Sequence, residues 1–324
     1  MRTINKNGKK QINVVVCVDD IYSQHLAVML YSLGINNVRN QVDVYIIYKN
    51  LSHTNIDLLE TTVRNFNIKL IFILNTYNYL NSVEAGGFSE VAYYRINLPN
   101  ILSNLDKVLY LDCDIVINHD LAELYGKKVT CIAAVRDANV YLEEYYNRLF
   151  SATAPKGYFN SGVMLLNLAE MRHVGASEKI MQYIKENKGT FRWHDQTGLN
   201  WFFFKTYESL PPKFNFLQTI YAFKNLKHPL YEEAEYTEAR NDPAIIHFAG
   251  KTYKPWLYES VGTYKGLYLK YLDNTPYRNN RFQSGNTFSK NLNLLLIMYL
   301  PFIFQKLLID INGLIFLRKN QGSP

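Results

Sequence analysis

Two aspartates one residue apart, Asp112 and Asp114, interrupt an otherwise apolar run from Val108 to Ile117. Such a run, rich in β-branched and aromatic residues, is the pattern of a central strand buried on both faces. A carboxylate inside it is costly unless a cation meets it or the strand opens to water at that point. Asp-x-Asp across a strand end lets both acids approach one ion while the backbone turns between them. Hard oxygen ligands suit Mg²⁺ or Mn²⁺, above all beside a phosphate-bearing substrate. A solvated, Asp-rich turn would carry the same tripeptide, so the choice depends on what else the chain brings to this place.

Several other stretches carry polar groups that could join it. Asp19-Asp20 follows the apolar run Ile12–Val18, where an acid could accept hydrogen bonds from a ribose or a base, or simply cap a helix. Arg95 precedes the acid pair and could bind a carboxylate and a phosphate together. Asp137 ends another apolar run. Asn160-Ser161-Gly162 opens a further one, and a glycine there permits close approach to a ligand. Asp195 and Gln196 follow His194 at the start of a helical pattern. His247 lies in Ala244–Gly250 with Lys251 and Lys254 after it, an arrangement suited to phosphate binding with a third metal ligand.

The elements that must position these groups alternate. Strands are predicted at Ile12–Val18, Val42–Tyr48 and Ile68–Leu74. Helices are predicted at Tyr22–Leu33, stopped by Gly34, and at Ile56–Phe66, with Ser52 as N-cap. Strands alternating with helices give a parallel sheet, and ligands of such sheets sit beyond the carboxyl ends of strands, where both acid pairs fall. Phe88–Leu98 reads as a helix carrying Arg95, Thr130–Val135 as a strand, Ser177–Lys188 as a helix and Leu210–Phe216 as extended. Ala138–Lys156, with Tyr141, Tyr145 and Tyr146, reads as a flap or an acceptor wall.

With 324 residues and 48% hydrophobic content, the chain can bury a large core, and disorder is excluded for most of it. The net charge of +7 favours anionic partners such as nucleotide phosphates or anionic lipids, and no nucleic-acid-binding motif is visible. Neither a Gly-x-Gly-x-x-Gly nor a Gly-x4-Gly-Lys-Ser/Thr loop appears in the first half, so dinucleotide and P-loop chemistry is unsupported. The three cysteines, Cys17, Cys113 and Cys131, lack metal spacing and read as reduced core residues of a cytoplasmic protein. Met1–Gln11 lacks the apolar stretch of a signal peptide.

Taken together, these stretches resemble glycosyltransferase family 8, from about Asn13 to Trp256. The resemblance rests on Val18-Asp-Asp20, Ala92-Tyr-Tyr-Arg95, Lys107-Val-Leu-Tyr-Leu-Asp-Cys-Asp114, Phe159-Asn-Ser-Gly162, His194-Asp-Gln196, Phe214-Asn215, and His247-Phe-Ala-Gly250 with Lys254-Pro-Trp256. Their order and spacing are specific where each alone is weak. The resemblance implies a GT-A fold, that is, a Rossmann-like α/β fold with a mixed central sheet. It implies a retaining transfer of galactose or glucose from a UDP-sugar donor, with Mn²⁺ (or Mg²⁺) held by Asp112, Asp114 and His247. By position it implies donor-nucleotide contacts at Asp19, Asp20, Tyr22, Arg95, Asp112, Cys113 and Gly250, with Lys251 or Lys254 as the phosphate lysine. It implies that Asp137, Asn160, Asp195 and Gln196 surround the donor sugar. Ile21 stands where the family often has a polar residue.

The sequence divides into a catalytic domain at 1–273, a polar linker at 274–290 and a basic, hydrophobic helical tail at 291–324. No uninterrupted apolar run in the tail reaches the roughly 20 residues needed to span a bilayer. Lys290, Lys306, Arg318 and Lys319 among apolar neighbours suggest helices lying on the anionic inner face of a bacterial membrane. The expected partners are therefore a UDP-hexose, a glycan or glycolipid acceptor and that membrane surface. Nucleotidyl transfer also uses paired acids, but Val18-Asp19-Asp20-Ile21 offers no Gly-rich triphosphate loop. A catalytically degenerate nucleotide-sugar or glycan-binding protein would be favoured by loss of the acid pair or of His247, and all three residues are present.

Overall fold

The computed structural model describes residues 9–77, 90–138, 157–187, 194–217, 230–250, 253–258, 260 and 262–281. The flap stretch beyond Ala138, Lys251, and the tail from 282 onward lie outside them.

The first half alternates as the sequence predicts. Strand β1 (Lys10–Val18) leads through a short 3₁₀ turn into helix α1 (Ser23–Asn36). Strand β2 (Asn40–Tyr48), helix α2 (His53–Val63) and strand β3 (Ile68–Leu74) follow. Helix α3 (Val91–Tyr94), a 3₁₀ turn (Arg95–Asn97) and helix α4 (Leu98–Ile101) precede strands β4 (Lys107–Leu111) and β5 (Ile115–Ile117). Next come α5 (Ala122–Tyr125), β6 (Ile132–Arg136), β7 (Phe159–Asn167), α6 (Leu168–His173), α7 (Ala176–Glu186) and α8 (His194–Phe203). The described chain continues with β8 (Glu208–Leu210), β9 (Phe216–Leu217), α9 (Glu233–Asn241), β10 (Ile245–His247) and α10 (Lys265–Leu272).

Seven strands form a mixed sheet in the order β3-β2-β1-β4-β7-β6-β8, and three form a second sheet, β5-β10-β9. Strands β1 to β4 are parallel to their neighbours within that block, whereas β7 runs antiparallel to both β4 and β6. The central strands β1, β4 and β7 are buried on both faces, and their successive side chains divide between two cores. Val14, Val16, Leu109, Leu111, Val163 and Leu165 face one core, while Val15, Cys17, Val108, Tyr110, Met164 and Leu166 face the other. That division explains why these strands read as continuous apolar runs rather than alternating ones.

Four local expectations need correction. The run Lys107–Ile117 is two strands in different sheets, and Asp112-Cys113-Asp114 is the crossing between them. Gly34 does not stop α1 but lies inside it, because a Cβ there would stand 2.3 Å from the Phe66 ring; the glycine serves packing, not termination. Arg95 lies on a 3₁₀ turn between two short helices, with Pro99 in the first turn of α4, where a missing N–H costs little. Pro211-Pro212 leads into a 3₁₀ turn (Pro212–Asn215) rather than continuous extended chain. Ser52 caps α2 as expected, accepting a hydrogen bond from the Asn55 N–H.

Residues 274–281, read from composition as the start of a linker, pack on the domain. Tyr277 is buried in the core and its hydroxyl donates to Asn55 Oδ1 at 2.6 Å, while Gln24 donates to the Asn280 carbonyl at 2.9 Å. Among the described residues, no helix is long and apolar enough to cross a membrane.

Candidate active site

Two strand pairings bring the site together. The antiparallel register of β4 on β7 pairs Leu111 with Val163, so the next residue, Asp112, donates its N–H to the Gly162 carbonyl at 2.8 Å. The antiparallel register of β5 on β10 pairs Ile115 with His247, and the Asp114 carbonyl accepts from the Phe248 N–H at 3.0 Å. The acid pair thus meets Gly162 through one sheet and His247 through the other.

One ligand atom from each of Asp112, Asp114 and His247 lies within 4.8 Å of the other two. His247 Nε2 stands 3.5 Å from Asp114 Oδ1 and 3.8 Å from Asp112 Oδ2. Asp114 and His247 are buried and Asp112 is half-buried. Two carboxylate oxygens and an imidazole nitrogen, converging with the other ring nitrogen hydrogen-bonded, are a donor set that fits a divalent metal cation. Gly162 makes room for the imidazole, since a Cβ at that position would fall 2.3 Å from His247 Cε1 and 2.9 Å from Asp112 Oδ2.

Cations flank the acids. Lys254 Nζ is bonded directly to Asp114 Oδ2. Burial of Asp114 favours its neutral form, but Lys254 and His247 outweigh that and hold its carboxyl well below the usual range. Lys254 is likewise raised: burial pulls it down, and the Asp114 charge more than compensates. Gly250, at φ +83°, turns the chain out of β10 on the way to Lys254, in the left-handed region that glycine favours. Behind Lys254, Trp256 stacks on His25 with centroids 3.5 Å apart, and His25 Nδ1 lies 2.7 Å from the Tyr268 hydroxyl. Tyr22 meets both rings edge-on.

Arg95 is the other cation. Its Nη2 lies 3.0 Å from Asp112 Oδ1 and its Nε 3.2 Å from Asp195 Oδ2. Its Nη1 donates to the Ser161 carbonyl and hydroxyl at 3.1 and 3.0 Å. The guanidinium lies over the Tyr110 ring, whose hydroxyl donates to Asp112 Oδ1 at 2.6 Å. Burial pushes the Asp195 carboxyl up, Arg95 opposes this without cancelling it, and Asp112 adds to it. Gln196 Oε1 accepts from the Ser161 N–H at 2.9 Å and from its hydroxyl at 3.2 Å. Asn160 donates to Asp137 Oδ2 at 3.1 Å.

The structure therefore brings together Arg95, Asp112, Asp114, Asp137, Asn160, Asp195, Gln196, His247 and Lys254 in one bonded group. The end of β1 differs. Asp19 Oδ1 accepts from the Tyr22 N–H at 3.0 Å. Asp20 Oδ1 accepts from the Ser52 N–H and from Asn55 Nδ2, each at 2.8 Å, which ties it to the start of α2 and lowers its carboxyl. The Cys113 thiol is buried in the core and donates to the Cys17 carbonyl. Cys17, Cys113 and Cys131 are free thiols.

Three contributors were not assigned a role from sequence. Tyr110 stands two residues before Asp112, hence on the same side of the strand, a period-two signal that was available. Ser161 lies inside the Asn-Ser-Gly stretch but shows its double duty only in three dimensions. Asn215 lies between Phe214 and Phe216, and a polar side chain in such surroundings needs buried partners.

A seven-stranded mixed sheet with an Asp-x-Asp crossing into a small second sheet defines a GT-A nucleotide-sugar transferase fold. The crystal structure of the galactosyltransferase LgtC in complex with donor and acceptor sugar analogues is similar, with a TM-score of 0.72 and 23% identity, over 83% of this chain and all of that one. The chain belongs to glycosyl transferase family 8, whose sequence profile matches residues 13–260, and it is a glycosyltransferase. Among its relatives is General stress protein A of Bacillus subtilis (strain 168), 31% identical over 82% of this chain and 94% of that protein. Another is a Lipopolysaccharide 1,2-glucosyltransferase of Escherichia coli, 28% identical over 86% of this chain and 84% of that protein.

Proposed function

We propose that this glycosyltransferase moves a hexose, galactose or glucose, from a UDP-sugar to a hydroxyl of a cell-surface or lipid-linked glycan, with retention of configuration. Asp112, Asp114 and His247 hold the divalent cation, Mn²⁺ or Mg²⁺. The observation that carries this reading is their convergence within 4.8 Å beside a lysine and an arginine. The names of the Escherichia coli relative and of the crystallised galactosyltransferase, a hexosyl transferase in each case, support it.

A sugar–diphosphate bond breaks by leaving charge on the β-phosphate. When bound, the cation neutralises part of that charge. Lys254, held protonated beside Asp114, contributes a second positive group from the protein itself. Arg95 keeps Asp112 and Asp195 in fixed orientations between the diphosphate side and the sugar side. Asn160 and Asp137 offer hydrogen bonds to sugar hydroxyls. Of the two groups considered for supporting a cationic sugar, the Gln196 oxygen already accepts two hydrogen bonds from Ser161. Asp195, a carboxylate, is the better candidate for that charge. Asp19 and Tyr22 border the base and ribose, and Cys113, its thiol bonded to the Cys17 carbonyl, offers the donor its backbone.

The test is UDP release from UDP-galactose, UDP-glucose and UDP-N-acetylglucosamine, each with and without Mn²⁺. Mn²⁺-dependent release from one of the two hexose donors is expected. Equal release in EDTA would refute the metal role. The basic, apolar tail supports a peripheral place on the inner face of a bacterial membrane. Unchanged partition into anionic liposomes after truncation beyond Arg281 would remove that part of the proposal.

A further inference from the structure

The amide of Asn215 joins His247 to Asn160, and its orientation follows from one backbone donor. The Gly162 N–H can only donate, and it lies 2.9 Å from Asn160 Oδ1, so that atom is the carbonyl oxygen. Asn215 places an amide atom 2.9 Å from the same oxygen, so that atom is its NH₂. Its other amide atom, 2.9 Å from His247 Nδ1, is therefore an oxygen, and Nδ1 must carry a proton to bond with it. In the neutral ring Nε2 then keeps its lone pair, and Nε2 is the nitrogen that faces Asp112 and Asp114. Asn215 is fully buried, so few alternative partners compete for its two polar atoms.

We infer that Asn215 is a positioning residue: a relay from the Gly162 backbone through Asn160 and Asn215 holds His247 in the Nδ1–H tautomer and aims the Nε2 lone pair at the cation. This rests on the proposed role of Asp112, Asp114 and His247 as metal ligands. The relay has a second end. Asn160 also donates to Asp137, so one hydrogen-bonded frame runs from the metal side to the residues proposed for the sugar. Outer hydrogen bonds of this kind fix ligand orientation and basicity.

The first measurement is ¹⁵N NMR of histidine-labelled, metal-free full-length protein at mildly alkaline pH, with the His247 signals assigned by H247Q. The expected spectrum has a protonated Nδ1 and an unprotonated Nε2. The second is Mn²⁺ affinity without donor, read from the EPR signal of free Mn²⁺. N215L removes the acceptor and should weaken Mn²⁺ binding roughly 10- to 100-fold. N215D keeps an acceptor toward Nδ1 and should bind Mn²⁺ more tightly than N215L. A wild-type His247 protonated at Nε2, or N215L with wild-type Mn²⁺ affinity, would overturn the inference. If N215L does not fold, the wild-type spectrum decides alone. If the wild-type protein binds no Mn²⁺, the metal reading fails while the spectrum still decides the relay.

Discussion

Gly162 and His247 are packed so closely that any side chain at position 162 would displace the imidazole: a Cβ would stand 2.3 Å from its Cε1. The two residues come from β7 of one sheet and β10 of the other, and their contact sets how near His247 can come to Asp112. Gly162→Ala should therefore cost about 1–3 kcal/mol of stability by overpacking. It should also weaken Mn²⁺ binding by more than that stability loss implies. Thermal melts with and without Mn²⁺ check this. Full Mn²⁺ affinity in the Gly162→Ala variant would show that the contact is not what positions the histidine.

Arg95 uses the fork of its guanidinium on Asp112 and Ser161 while Nε meets Asp195, at distances of 3.0 to 3.2 Å. An ammonium cannot reproduce that planar arrangement. Arg95→Lys should lower kcat/KM at least about 100-fold, the scale seen when one preorganised donor is lost, despite conserving charge. Steady-state kinetics on purified variant and parent measure it. Near-parental turnover would mean that charge alone suffices at this position.

How much of this was legible in the sequence varies by element. The strands of the first half were, each as an apolar run rich in β-branched residues, and β1, covered on both faces, leaves the continuous run Val14–Val18, all buried. The acid pair and His247 stood out because polar groups in apolar runs demand partners, and Arg95 stood out by its place just before the acid pair. That the acid pair is the crossing between two sheets was not legible, since the residues on both sides are apolar and buried alike. Gly34 read as a helix stop because its packing partner, Phe66, is distant in sequence. Asn215 stood in the resemblance without a function, because its partners, Asn160 and His247, lie far away in the chain.

His25 gives a pH prediction. Its ring is buried against Trp256 and Tyr268, and burial, assisted by Lys254 and opposed by Asp114, drops its pKa from 6.5 to about 3. Between those values the unfolded chain binds a proton that the folded chain does not. Stability contributed at His25 is thus fully present above about pH 6.5 and is lost as pH falls toward 3, by up to about 1.4 kcal/mol per pH unit. Urea denaturation across this range should show a shallower slope in His25→Phe than in the parent, whatever the variant's stability at neutral pH. Identical slopes would mean that His25 is protonated in the folded protein.

The most direct test of the donor site is calorimetric titration of UDP into the protein in Mn²⁺, in EDTA, and with Asp114→Ala in Mn²⁺. Binding in the first and its loss in the other two, with the variant still folded by circular dichroism, is the expected result. Equal binding of UDP in all three would contradict a nucleotide-sugar site built on Asp112, Asp114 and His247.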